Sequence, residues 1–600
     1  MPKRIITALD LEMAARLGNK EFMIGADDVV TDVALERAAQ LEIRIIKNPV
    51  RSGSVSVKGG SGAGGTAQES LPVAGDAFTG AALPPPPLSP LSLLPSPLPG
   101  ETGAKPPIPA SAASLASFQG ELEQIKKEIA YLKGAGGVLP GEADLVIKNG
   151  YLVIPRLGVF RGDLEVSGRK IAAISVSGQA RGKKMIDATG LYVLPGVVDP
   201  HIHLGIFGDM REEMEKETAS ALLGGVTAAG CMLYSEESYF DYLPSFVEMV
   251  ERHSYIDIFP HLIITTPRQV EEIPAYIKHL QITSFKIFMC GIPGLIPHMH
   301  DDKILDVFEK VKGCRDVSIA IHAENSHIVE RSTAQHRRQV EQDNDLQAWS
   351  LTRPSLAEEE AVKRAVLLAR SCGVTIYLVH LSARESIEVI RRYRERGGGA
   401  YSLYAETTSP YLTIDTDWLL GARGKMTPPF RSPQDREALW QGLREGIIDT
   451  VGTDNATLTL AEKMVDKGMA EALPGYPALA THLPSLLSEG VNRGRIDLTR
   501  LAEVTSLRPA EIFGFYPAKG SLLPGSNADI VVVDLQERRK VDPLQLASRS
   551  DFSLYEGKEL TGWPVFTVKS GEIVMQGGEL LATAQKKGMV IRRSPSNVKV

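Results

Sequence analysis

The 600-residue chain has little of what marks several large classes of protein. Cysteine is scarce: Cys231, Cys290, Cys314 and Cys372 are widely spaced and form no CxxC pair. That argues against a disulfide-stapled secreted fold and reads as four small buried hydrophobes in a reducing compartment. A basic excess is also missing, with 66 Lys and Arg against 73 Asp and Glu and a formal charge of −7. With no basic stretch interleaved with aromatics, nucleic acid is not an expected partner. No uninterrupted apolar run is long enough to cross a bilayer, and MPKRIITALDLEMAARLG lacks the apolar stretch of a signal peptide. No membrane partner and a cytoplasmic location are therefore expected.

Composition then divides the chain. Residues 1–48 read as a small α/β module, with helical patterns from Thr7 to Leu17 and from Asp32 to Leu41 before a β-like Ile43-Arg44-Ile45-Ile46. Residues 49–113 are dominated by Gly, Ser, Ala and Pro, including Pro84 to Pro87, and read as a disordered linker. Over 114–134, Leu115, Phe118, Leu122, Ile125, Ile129 and Leu132 place one apolar stripe on an amphipathic helix. Such a stripe docks on its own enzyme, on a second copy, or on a larger assembly.

Two β-rich stretches, 142–194 and 520–580, flank a long middle and predict one small β-sandwich domain assembled from both ends; residues 581–600 form a C-terminal tail. Between them, 195–519 carries eight short apolar runs: 197–203, 225–233, 256–265, 282–289, 317–324, 375–382, 400–408 and 449–454. Helical patterns at 211–223, 356–371 and 433–445 separate several of these. Eight such alternations predict a TIM-type (β/α)8 barrel, an α/β fold whose site lies at the C-terminal ends of the strands.

The first run ends Asp199-Pro200-His201-Ile202-His203. Residues two apart on a strand share a face, so both imidazoles can reach one ion, with Asp199 or a main-chain carbonyl behind them. Lys286, His322, His380 and Asp454 fall in the fourth, fifth, sixth and eighth runs, where a barrel holds its reactive groups.

Several segments carry a resemblance to a known family: LPGVVDPHIHL (194–204), FKIFM (285–289), HAEN (322–325), VHLS (379–382), ETTSPYL (406–412), KMTPPFRSPQDREALWQGLREGIIDTVGTD (425–454) and PAKGSLLPGSNADIVVVD (517–534). The chain resembles the cyclic-amide branch of the amidohydrolases, comprising dihydropyrimidinase, hydantoinase, allantoinase and dihydroorotase. The resemblance implies a two-metal hydrolase, with zinc expected and iron, manganese or cobalt compatible with the same ligands. It implies that His201, His203 and Asp454 hold one metal, that His322 and His380 hold the other, and that Lys286, carbamylated by CO₂, bridges them. It further implies that Asp454 is the general base and then acid, that the substrate is a small cyclic ureide or imide, and that the enzyme is a dimer or tetramer. Allantoinase and dihydroorotase chemistry are the near alternatives, and a non-catalytic scaffold the distant one.

Departures from the family's pattern cluster around the substrate. Where dihydropyrimidinases and hydantoinases place a tyrosine five residues after the bridging lysine, this chain has Gly291, with His298 and His300 close behind as candidate substitutes. Asn455 stands where a histidine usually follows the catalytic aspartate. Thr427 replaces Ser or Asn before Pro-Pro, and Glu471-Ala472 replaces an Asn-Gly, so Thr427 and Glu471 are candidate substrate residues. Residues 7–45 also resemble leader modules of enzymes packaged in bacterial microcompartments, which implies a shell or cargo partner for residues 1–134 and a microcompartment lumen as destination.

Overall fold

A computed structural model describes residues 143–175, 180–292, 294–314, 316–395 and 402–593, with short pieces at 5–6, 20–24, 29–30, 38–39 and 43–47. Two compact units separate, Met1–Gly141 and Glu142–Val600. In the first, Ile5–Ile6 pairs in parallel with Val29–Val30, and Glu21–Ile24 with Arg44–Lys47, a strand at the expected β segment. Most of both expected N-terminal helices, the 49–113 linker and the 114–134 helix lie outside the described residues.

In the second unit all eight apolar runs contain barrel strands: β1 (Val197–His203), β2 (Val226–Leu233), β3 (Asp257–Ile263), β4 (Ser284–Phe288), β5 (Ser318–His322), β6 (Ile376–Leu378), β7 (Leu403–Thr408) and β8 (Thr450–Gly452). They pair in parallel and in sequence order. The ring closes just past β8, where Asn455–Ala456 pairs with Ile202–His203 of β1. Helices Met210–Leu223, Ser355–Cys372 and Pro433–Arg444 match the expected patterns within one residue at either end. The starts of the first and third, like that of the helix Ser326–Asp343, are fixed by local caps: Asp209, Ser432 and Asn325 each accept the backbone N–H of the third helical residue.

Period-two alternation decides what the barrel encloses. Ile258, Phe285, Ile287, Ile319, Ile321, Ile376 and Leu378 pack with the surrounding helices, while Val198, Ala228, Phe259, Ala320 and Tyr377 form the inner cluster, joined by Phe513 and Phe515 from beyond the last helix. That apolar plug leaves the mouth at the other end of the strands to polar side chains.

The small β domain is one nine-stranded mixed sheet built from both flanks of the barrel, around a core that includes Leu145, Ile147, Leu164, Val193, Ile530 and Val532. Within the first β-rich stretch, Ala143–Ile154 continues through Asn149-Gly150 as an irregularity with Asn149 at φ 60°. In the second, Glu559–Lys569 and Glu572–Gln576 are separated by a turn with positive φ at Ser570 and Gly571. A Cβ at Gly571 would sit 2.0 Å from the Gly168 carbonyl oxygen, so only glycine fits. The described part of the C-terminal tail lies on the barrel, where Val590 bridges to Ile258 and Arg593 pairs with Asp316.

Candidate metal centre

Alternation along β1 turns His201 and His203 inward while Ile202 packs outward. Asp454 follows two residues after β8, at φ 55°, and its carboxylate meets both imidazoles: Oδ1 lies 3.2 Å from His201 Nε2 and 3.1 Å from His203 Nε2. These three side chains can converge on one cation. Opposite them, His322 at the end of β5 and His380 just after β6 bring Nδ1 and Nε2 to within 3.1 Å of each other. His380 has φ 40°, so non-glycine residues in the left-handed region contribute on both sides of the centre. Such backbone costs on the order of 1–3 kcal/mol each and is concentrated at working sites.

Lys286 rises from the middle of β4 into this space, wholly buried, with its Nζ lacking a hydrogen-bond partner among the described residues. Desolvation pushes its amine down to about 7, against the opposing pull of Asp454 and Glu406. Burial likewise drives His201 and His380 well below their ordinary value, so both rings are neutral and able to offer lone pairs.

Around these groups lies a set of positioning contacts, part of it missed in the sequence. Glu406 of β7 meets His201 Nδ1 at 2.8 Å, accepts the His380 backbone N–H at 3.0 Å, and accepts the Tyr377 hydroxyl at 2.6 Å. Glu324 faces His322 Nε2 at 2.8 Å and is itself held by Arg353 at 2.7 Å. Each glutamate thereby leaves the other ring nitrogen of its histidine pointing at the centre. Both were visible inside the motifs HAEN and ETTSPYL, two residues past His322 and near the end of a strand. Asp199, expected behind the imidazoles, instead accepts the backbone N–H groups of His201 and Thr453, each at 3.1 Å, and ties β1 to the Asp454 turn. His261 also faces inward, but Ser284 and the Pro200 carbonyl occupy its two nitrogens, so it is structural.

The donors of His201, His203 and Asp454 fit a cation. Two imidazoles and a carboxylate face one point, two further imidazole nitrogens lie 3.1 Å apart, and the His201 Nε2 and Lys286 Nζ atoms are buried without a hydrogen-bond partner among the described residues. Neutral nitrogens and a carboxylate suit a borderline divalent ion.

The profile of the Amidohydrolase family matches residues 192–574. The chain belongs to this family. An L-hydantoinase of Paenarthrobacter aurescens is 32% identical over 461 residues, covering 75% of this chain and 98% of that protein. A dihydroorotase of Bacillus licheniformis is 29% identical over 446 residues, covering 73% and 99%. The crystal structure of a dihydropyrimidinase from Brevibacillus agri superposes with a TM-score of 0.69 at 28% identity, covering 75% of this chain and 98% of that one.

Against this amidohydrolase frame, the departing residues can be placed. Gly291 is not an open position: a Cβ there would lie 2.5 Å from the Ile296 oxygen and 2.6 Å from the His298 nitrogen. The 296–298 main chain occupies the room a side chain would need. That loop borders a cavity of about 470 Å³ lined by Tyr234, Cys290, Gly291, His298 and Arg353 among others. His298 and His300 face each other with their Nε2 atoms 3.1 Å apart, His298 half-buried and His300 exposed. Asn455 is buried and bonds Thr457 and the Ala478 N–H. Thr427 is half-buried, and Glu471 is exposed at the end of the short helix Gly468–Glu471.

Proposed function

We propose that this amidohydrolase opens the ring of a small cyclic ureide or imide, with the dihydropyrimidinase or hydantoinase reaction ahead of the allantoinase and dihydroorotase reactions. The observation that carries the reading is the convergence of His201, His203, Asp454, His322 and His380 around a buried Lys286 whose Nζ has no hydrogen-bond partner among the described residues. The hydantoinase, dihydropyrimidinase and dihydroorotase names of its relatives support the substrate class.

In this reading His201, His203 and Asp454 hold one divalent metal, His322 and His380 the second, with zinc the first choice. Lys286 joins them as a carbamate: its amine nitrogen adds to CO₂, one proton leaves, and an anion replaces a cation that would repel metal ions. When bound, the metals lower the pKa of a water and polarise the substrate carbonyl. The chain's own part is to hold and move protons. Asp454 takes the proton of the attacking water and passes it to the ring nitrogen as the amide bond breaks. Glu406 and Glu324 keep the imidazoles turned so that their lone pairs stay on the centre.

The test is metal analysis after reconstitution with zinc and bicarbonate, paired with a screen of dihydrouracil, hydantoin, allantoin, dihydroorotate and cyclic imides followed by ring absorbance. Two metals per chain and turnover of one class support the reading. Fewer than about one metal per chain sinks it and favours the scaffold alternative. Assembly into a dimer or tetramer, and recruitment to a microcompartment shell through residues 1–134, belong to the same proposal. Light scattering tests the first; shell-protein binding by the full chain and by a 1–134 deletion tests the second.

A further inference from the structure

Among the described residues five other tyrosines of the barrel unit are buried, and the hydroxyl of each is hydrogen-bonded. Tyr239 reaches the Leu233 and Ile263 carbonyls, Tyr276 reaches Glu272, Tyr377 reaches Glu406, Tyr411 reaches the Pro428 carbonyl and Tyr555 reaches Thr413. Tyr476 is the exception. It is wholly buried, yet its hydroxyl has no hydrogen-bond partner among the described residues. The Thr408 side chain stands beside it, and Asp454 is within electrostatic reach.

The rest of Tyr476 is firmly held. Its carbonyl accepts the Ala456 N–H at 3.1 Å, which fastens it alongside the segment directly after Asp454, and its ring stacks on Phe430 with centroids 6.0 Å apart. The preceding Gly475 is pinned by the Lys463 ammonium at 2.6 Å. Fixed backbone, fixed ring and an unmet donor are what a site pre-organised for a ligand oxygen requires. An unmet buried hydroxyl otherwise costs stability, and phenylalanine would fill the same space without that cost.

We propose that the Tyr476 hydroxyl donates a hydrogen bond to the substrate carbonyl oxygen as negative charge develops on it, taking from the loop after β8 the part that Gly291 cannot play from the loop after β4. This rests on the ring-opening reading above. No covalent step is involved: the phenol keeps its proton throughout and stabilises the oxygen until the ring C–N bond breaks.

The experiment compares the full chain with Tyr476→Phe, both reconstituted with zinc and bicarbonate, on whichever cyclic amide of the screen the parent opens. The expected result is an unchanged metal content, a melting temperature equal to or above the parent's, little change in KM, and kcat lowered by about a hundredfold. A kcat within about twofold of the parent overturns the proposal. So does a variant that melts lower, because the hydroxyl then has a structural partner. If the parent opens none of the cyclic amides, the failure is seen before any variant is made: the functional reading falls, and the assignment of Tyr476 falls with it.

Discussion

Lys286 sets the residue-scale argument because an ammonium left without an acceptor in a wholly buried site is among the costliest groups a protein can carry. Neutralisation removes that cost, and carbamylation turns the same side chain into a ligand. Lys286→Ala should therefore lose at least one metal per chain and nearly all activity, with part of the activity restored by added short-chain carboxylates. An active variant that keeps both metals refutes the assignment. Glu406→Gln tests the support rather than the ligand: releasing His201 from its fixed orientation should weaken metal binding by about 10–100-fold, read by competition with a chelating dye. The histidines and Asp454 were legible because each lies in an apolar run toward or just past the end of a strand, and Lys286 because it lies within such a run. Glu406 and Glu324 were not, because their role lies in which ring nitrogen they occupy. That depends on pairings between residues as far apart as His201 and Glu406, and no local pattern records it.

At the scale of elements, the strands were readable and the loops were not. Alternation in runs such as Ser318–His322 fixes both the strand and its inward face, whereas the room at Gly291 is decided by where the 296–298 main chain folds. Lys463 shows the same limit. No pattern in the sequence singles it out. In the structure it is buried, and its Nζ donates to the carbonyls of Lys425, Leu473 and Gly475 at 2.9, 2.9 and 2.6 Å. Three carbonyls use all three N–H groups of an ammonium. The segment that leads to Thr427 is thereby locked to the segment that leads to Tyr476. Lys463→Met should leave the metal content intact while loosening both loops, so that KM rises severalfold and protease cleavage near 473 quickens. Unchanged KM and unchanged cleavage would show that the loops hold each other without the lysine.

Across the whole molecule, the barrel and its β domain are joined by a buried quartet of charge that no single segment of sequence announces. Lys519 pairs with Asp257 at 2.6 Å and Asp529 at 2.5 Å, while Lys569 reaches Asp257 at 2.9 Å. Asp257 opens β3, Lys519 and Asp529 lie where the chain leaves the barrel, Lys569 belongs to the β domain, and the tail adds the Met589 N–H on Asp257 at 3.0 Å. Burial by itself raises the two aspartates, but the lysines more than offset it and hold both below the usual carboxylate range. Lys519 moves the opposite way: burial lowers it, and the aspartates override that to raise it above its ordinary value. Depressed carboxylates give stability that is present above their unfolded pKa and lost as pH falls through the lower folded value. A raised lysine gives stability that is full below its unfolded pKa and lost as pH rises through the higher folded one. The melting temperature should therefore hold a plateau through neutral pH, falling on the acid side below about pH 4 and on the alkaline side above about pH 10. Lys519→Met leaves two buried aspartates to one lysine and should cost about 3–5 kcal/mol, read as a lower denaturant midpoint. In that variant the acid limb should flatten, because stability at neutral pH drops toward the value the parent reaches only in acid. A variant with an unaltered midpoint and an unaltered acid limb would mean that this quartet does not hold the two domains together.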